Sequence, residues 1–134
     1  KKQIPIYIYI YIYIYIYYIY IYIYIYIYIY YLLSIIYLER VQYYQHFFKK
    51  RPYDVKAKEQ KKRWASCTSK DELLFNWRCV MAPSYVLDYI VVHEMCHMYY
   101  KNHSQEFWDM LAAIMSDYER RKEWLKKYGV RMDL

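Results

Sequence analysis

The sequence predicts a small α+β domain in which a β-hairpin packs on a helix bearing a histidine pair, followed by two further helices. Three observations predict it. Residues 62–81 read as two apolar strands around a polar turn. Residues 84–97 carry apolar positions at helical spacing. Two capping signals, at Ser104 and Asp117, each open another helical stretch.

The chain has 134 residues, but residues 6 to 31 are only Ile and Tyr in near-perfect alternation. No charge occurs between Lys2 and Glu39. The ordinary composition that follows suits one small core. The sequence therefore divides into a low-complexity Ile/Tyr repeat, residues 1–36, and a domain, residues 37–134.

The repeat admits four readings. Alternation of two β-formers predicts a strand with Ile on one face and Tyr on the other, although it far exceeds a usual strand of about 3–10 residues. An uncharged run over residues 6–38, preceded by Lys1 and Lys2, is long enough for a membrane span, but half of it is Tyr, which prefers the interface. A signal peptide fits less well, since the apolar part is too long and no small-residue cleavage site follows. The preferred account is genetic. ATA and TAT encode Ile and Tyr, so an AT dinucleotide repeat translates to this pattern in any frame, and low complexity needs no selected function. With high β-propensity and no charge, the run is aggregation-prone if exposed.

In the domain, residues 37–50 suit an amphipathic helix with Leu38, Val41 and Tyr44 or Gln45 near one face, ended by Pro52. His46 is expected on its surface. KRWASC (residues 62–67) and LLFNWRCVM (residues 73–81) are the candidate strands, joined through Thr68-Ser69-Lys70-Asp71. Pro83 opens the next helix, along which Val86, Ile90 and Val91 recur, and Asn102 breaks it. Ser104 caps a helix burying Phe107, Leu111 and Ile114. Asp117 caps a last one, Tyr118 to Tyr128, with Gly129 as its C′ residue.

Composition narrows the function classes. The formal charge is +7, from 20 Lys and Arg against 13 Asp and Glu. The most basic stretch, Lys49 to Arg63, reads as a solvated surface, with a nucleic-acid patch as the weaker alternative. Cys67, Cys79 and Cys96 are odd in number and lack paired spacing, which argues against a disulfide framework and favours a reduced, cytoplasmic setting. Membrane anchoring through residues 6–38 is the alternative.

The chemistry lies in His93-Glu94-Met95-Cys96-His97. Residues four apart on a helix project from nearly the same side, so the two imidazoles can share one zinc ion. Glu94, beside the first ligand, is placed to reach a water rather than the metal. This is the H-E-x-x-H pattern of metalloproteases. Catalytic zinc needs a third protein ligand and an open position. His103, just beyond the expected break, is the natural third, with Glu106, Glu119 and Glu123 as runners-up. The spacing to His103 is that of metzincins, but Tyr100 stands where they place glycine, so a turn through Lys101-Asn102 is expected instead. Trp108 and Asn102 are candidate supports for the ligands. The rival reading is a zinc-stabilised binding module without turnover, possibly nucleic-acid-associated, which would have no need of Glu94.

These residues resemble the YgjP-like metallopeptidase family, a zincin group similar to the SprT-like proteins. The resemblance runs from about Tyr37 to Gly129. It is carried by Arg63-Trp64-Ala65-Ser66-Cys67, by Asn76-Trp77-Arg78 through Ala82-Pro83, by Asp88-Tyr89 through the histidine motif, by Asn102-His103-Ser104 with Phe107-Trp108, and by Asp117 to Arg121 with Trp124-Leu125. It implies a zincin-like fold, zinc on His93, His97 and His103, catalysis by Glu94, and a peptide or protein substrate. Two departures stand out. Ala65 replaces the family's usual Gly, and the repeat occupies the place of a β-rich region ahead of the first helix.

Overall fold

A computed structural model describes residues 3–129 of the chain. Lys1, Lys2 and residues 130–134 lie outside them. The elements, in order, are α1 (Ile6–Tyr44), β1 (Asp54–Lys58), β2 (Ala65–Cys67), β3 (Glu72–Asn76), α2 (Ser84–Cys96), α3 (Gln105–Ile114) and α4 (Tyr118–Tyr128). Short 3-10 turns follow α1 at Gln45–Phe47 and β3 at Trp77–Met81.

The Ile/Tyr run is helical, which corrects the strand reading. One helix of 39 residues continues from the repeat into the domain. A lone strand leaves its backbone N–H and C=O groups unpaired, whereas a helix satisfies them within itself. Local propensity yields to that requirement. Around a helix, the two-residue alternation spreads Ile and Tyr over every side, so residues 6–29 are exposed throughout.

Only the last third of α1 belongs to the core. Leu33, Tyr37, Val41 and Tyr44 fall on one face at helical spacing, with Leu33 partly buried and the others buried. Leu38, expected on that face, is exposed, because the buried stripe is centred one residue earlier. The helix also ends at Tyr44 rather than near Lys50. Tyr37 sits against Phe75, ring centroids 5.0 Å apart, and its hydroxyl donates to the Asn76 carbonyl at 2.9 Å. Arg40 grips Asp88 of α2 with two hydrogen bonds of 2.9 and 2.8 Å, and the Tyr44 hydroxyl donates to the same carboxylate.

The sheet has the order β1-β3-β2, with β1 parallel and β2 antiparallel to β3. The expected hairpin is present but shorter, because its second arm turns into a 3-10 helix at Trp77. Asp71 takes a left-handed conformation in the connecting turn, φ 61°. Strand β1 was not expected. Its outer edge is covered by α1, where Ser34 Oγ accepts the Ala57 N–H at 2.8 Å.

Helix α2 is the central element, buried almost throughout from Val86 to Cys96. Helix α3 packs Phe107 and Leu111 onto it, while Ile114 is only partly buried. Ser104 caps α3, accepting the Phe107 N–H. Asp117 occupies the N-cap position of α4 but makes no capping bond, because its carboxylate is engaged by Arg120 and Arg121. Gly129 ends α4 in an extended conformation, φ −78° and ψ 113°, rather than the left-handed one. Its value is space, since a side chain there would collide with the Leu125 carbonyl and the Trp64 ring.

Candidate metal centre and active site

His93 and His97 project together from the last turn of α2. The helix stops at Cys96, earlier than an Asn102 break implies, and tightens as Met98 N–H and Tyr99 N–H bond the Met95 and Cys96 carbonyls. The chain then doubles back through Tyr100–Asn102. Lys101 pins this return by donating to Asp71 Oδ1 at 2.9 Å and the Thr68 carbonyl at 3.1 Å, both in the β2–β3 turn. His103 is thereby returned to the α2 pair.

The Nε2 atom of His103 lies 3.2 Å from Nε2 of both His97 and His93. One ligand nitrogen from each of the three imidazoles falls within 4.8 Å of the others. The Tyr100 carbonyl accepts from His97 Nδ1 at 2.8 Å, which leaves the Nε2 lone pair for a metal. Phe107 stacks on His97 with centroids 4.5 Å apart, and Trp108 stacks on His103 at 5.6 Å. Trp108 therefore supports a candidate ligand by ring contact. Asn102 is exposed and makes no hydrogen bond to these histidines. Glu106, Glu119 and Glu123 are exposed and outside the cluster. His46 lies on the surface, 3.1 Å from the Tyr43 carbonyl.

Glu94 is buried beside this cluster, with Oε2 at 3.2 Å from His93 Nδ1. The contact is a hydrogen bond to a neutral imidazole, because burial holds His93 down at about 3. Burial likewise pushes the Glu94 carboxyl up to about 7, against the pull of His97, His103 and Arg63. His97 and His103 are lowered, again chiefly by desolvation. Three neutral imidazoles are the donor set a divalent metal requires.

The cluster opens into a cleft of about 860 Å³. Arg63, strand β2, Trp108, Lys122 and Lys126 are among the residues that line it. Lys122 sits 4.3 Å from the Trp108 ring centroid, and Trp108 stacks in turn on Tyr118. Lys122 was not singled out from sequence, and Tyr89, which packs edge-on against His93, entered only through the family resemblance, with no role at the site. Tyr89 had a usable signal, being one helical turn before His93. Lys122 had none, since only the folded chain brings α4 to α2. Cys67 lines the cleft as a free thiol, but burial raises it to about 11, so it is a poor nucleophile.

Converging histidines beside a buried carboxylate, in a cleft of a small α+β domain, suit a metal-dependent peptide hydrolase. More narrowly, the chain belongs to the YgjP-like metallopeptidase family, whose metallopeptidase-domain model matches residues 28–128. Among solved structures it is similar to the metallopeptidase zymogen of Pyrococcus abyssi abylysin, with a TM-score of 0.60 and 16% sequence identity. That likeness covers 72% of this chain and 98% of the other and concerns the fold. No curated protein sequence matches the chain.

Proposed function

We propose that the chain binds one zinc ion through His93, His97 and His103 and hydrolyses peptide bonds with Glu94 as general base. The observation that carries this reading is the convergence of the three imidazoles beside a buried carboxylate in one cleft. Ligands at the usual zinc–nitrogen distance of ~2.0–2.1 Å, in tetrahedral array, stand roughly 3.3–3.4 Å apart. The two separations to His103, 3.2 Å each, are close to that spacing, and the three ligand atoms lie within 4.8 Å of one another.

Zinc, when bound, acidifies water and polarises a carbonyl oxygen. Glu94 takes a proton from the attacking water and returns it to the leaving amine. Burial raises the Glu94 carboxyl in the metal-free site, and a cation on the three histidines would favour its ionised form, the form a general base needs. Tyr100 and Phe107 hold His97, and Trp108 holds His103. Strand β2 is an edge of the sheet and lines the cleft, so an extended peptide or protein segment can pair with its free side. The catalytic unit is assigned to residues 37–134, with the repeat, residues 1–36, outside the chemistry.

A second reading rests on the His93–Glu94 hydrogen bond, which makes Glu94 a positioning group for His93. Metal analysis joined to a peptidase assay on the wild type and Glu94→Gln separates the two. The general-base reading expects zinc at one ion per chain in both proteins and turnover only in the wild type. Loss of zinc from the variant assigns Glu94 to holding the site, and zinc-dependent turnover that survives the substitution rejects the base.

A further inference from the structure

Nothing among the described residues covers the first part of α1. Every Ile and Tyr from residue 6 to 29 keeps between 36% and 76% of its surface open. A helix that is uncharged and carries Ile and Tyr on every side is covered throughout only inside a large core or across a bilayer, where the tyrosines nearest its two ends suit the interfaces. A second copy of the chain would cover one stripe, because a coiled-coil seam uses about two positions in seven. The alternation supplies no such seam, since successive Ile residues advance ~200° around the axis. An in-plane surface helix needs a charged or strongly polar face, and residues 3–38 contain no charge. A bilayer covers every side at once.

Length and flanking charge agree. Residues 6–29 rise about 36 Å at ~1.5 Å per residue, against a hydrocarbon core of about 30 Å. Where the helix enters the domain, Tyr30 lies within electrostatic reach of Glu59 and Arg78. Arg78 pairs with Glu59 at 2.7 Å, and the exposed Lys58, Lys61 and Lys62 flank that pair in the chain. Cationic side chains at this level match anionic lipid headgroups.

We propose that residues 6–29 of α1 cross a lipid bilayer and that the domain stands on the membrane surface, its basic collar at headgroup level. This inference does not depend on the zinc or the glutamate chemistry. Helix α2 packs beside α1, Asp88 meeting Arg40, and the segments that follow the two helices meet in turn, Lys50 donating to the Met98 carbonyl, so the two run in the same sense. The metal cluster therefore lies roughly 25 Å above the foot of the stalk, counting ~1.5 Å per residue. Given the peptidase reading, its substrates are segments close to a membrane.

The test is synthesis of the full chain with sealed phosphatidylcholine–phosphatidylserine vesicles, followed by density flotation and an alkaline carbonate wash. The chain should float with the lipid and resist the wash. The triple variant Ile14→Lys/Ile16→Lys/Ile19→Lys should lose at least tenfold of the floated fraction, and near-ultraviolet circular dichroism of the recovered protein reports that its domain is folded. Chain that sediments without lipid, stays soluble, or leaves the vesicles in carbonate overturns the proposal. So does a lysine variant that floats like the wild type. Turnover is not part of the readout, so a failed peptidase assay leaves this result standing.

Discussion

At the scale of single residues, the proposed division of labour is sharp enough to test. Glu94→Gln keeps the size of a buried side chain and removes a base, so it should fold and retain metal while turnover falls by about 10²–10⁴-fold. His93→Ala and His97→Ala should each abolish stoichiometric metal binding, read by elemental analysis. The pH response of the metal-free protein follows from burial. A folded His93 held at about 3, below its ordinary 6.5, favours the fold above pH 6.5, and that contribution is lost as pH falls toward 3. Glu94, raised to about 7, works in the opposite sense, favouring the fold below its ordinary 4.5 and losing that effect as pH rises through 7. Glu94→Gln removes the second effect, so its melting temperature should drop more steeply than that of the wild type between pH 7 and 5. His93, Glu94, His97 and His103 were legible as a set because eleven consecutive residues contain them all. Lys122 was not, because α4 reaches the cleft only through folding.

Between elements, the Arg40–Asp88–Tyr44 cluster joins α1 to α2. Asp88→Asn removes the charge from a partly buried two-point pair and should cost about 1–3 kcal/mol in denaturant unfolding, with metal still bound. Gly129→Ala drives a methyl group against the Leu125 carbonyl and the Trp64 ring. It should cost a further ~1–3 kcal/mol, seen as a lower melting temperature. The α2, α3 and α4 spans were readable from apolar spacing and caps to within a few residues. Strand β1 was hidden, because Lys56 and Lys58 alternate with Val55 and Ala57 in a stretch that reads as surface charge. The repeat misled in the other direction. Alternation specifies a strand only when a partner strand exists, and none among the described residues pairs with residues 6–29.

On the scale of the whole molecule, the domain and the repeat separate cleanly in burial though not in backbone. Packing against the domain begins at Leu33 and Ser34, a few residues before the composition changes. A chain beginning at residue 30 should thus be monodisperse in detergent-free buffer and bind metal as the full chain does, measured by light scattering and elemental analysis. Loss of metal from that folded fragment would assign the repeat a part in the site.

The sequence has a single glycine, at 129, and no proline between Pro5 and Pro52, so α1 contains no hinge. Stalk and domain behave like a bolt and its head: the heading of the cleft is set by the number of residues along the shank. Each residue inserted between 30 and 32 turns the head by ~100° and lifts it by ~1.5 Å. Two inserted alanines point the cleft nearly backwards, whereas seven restore its azimuth to within ~20° at a height about 10 Å greater. Against a target fixed in the same membrane, cleavage should fall with two alanines and return with seven, an angular dependence that a flexible tether would erase.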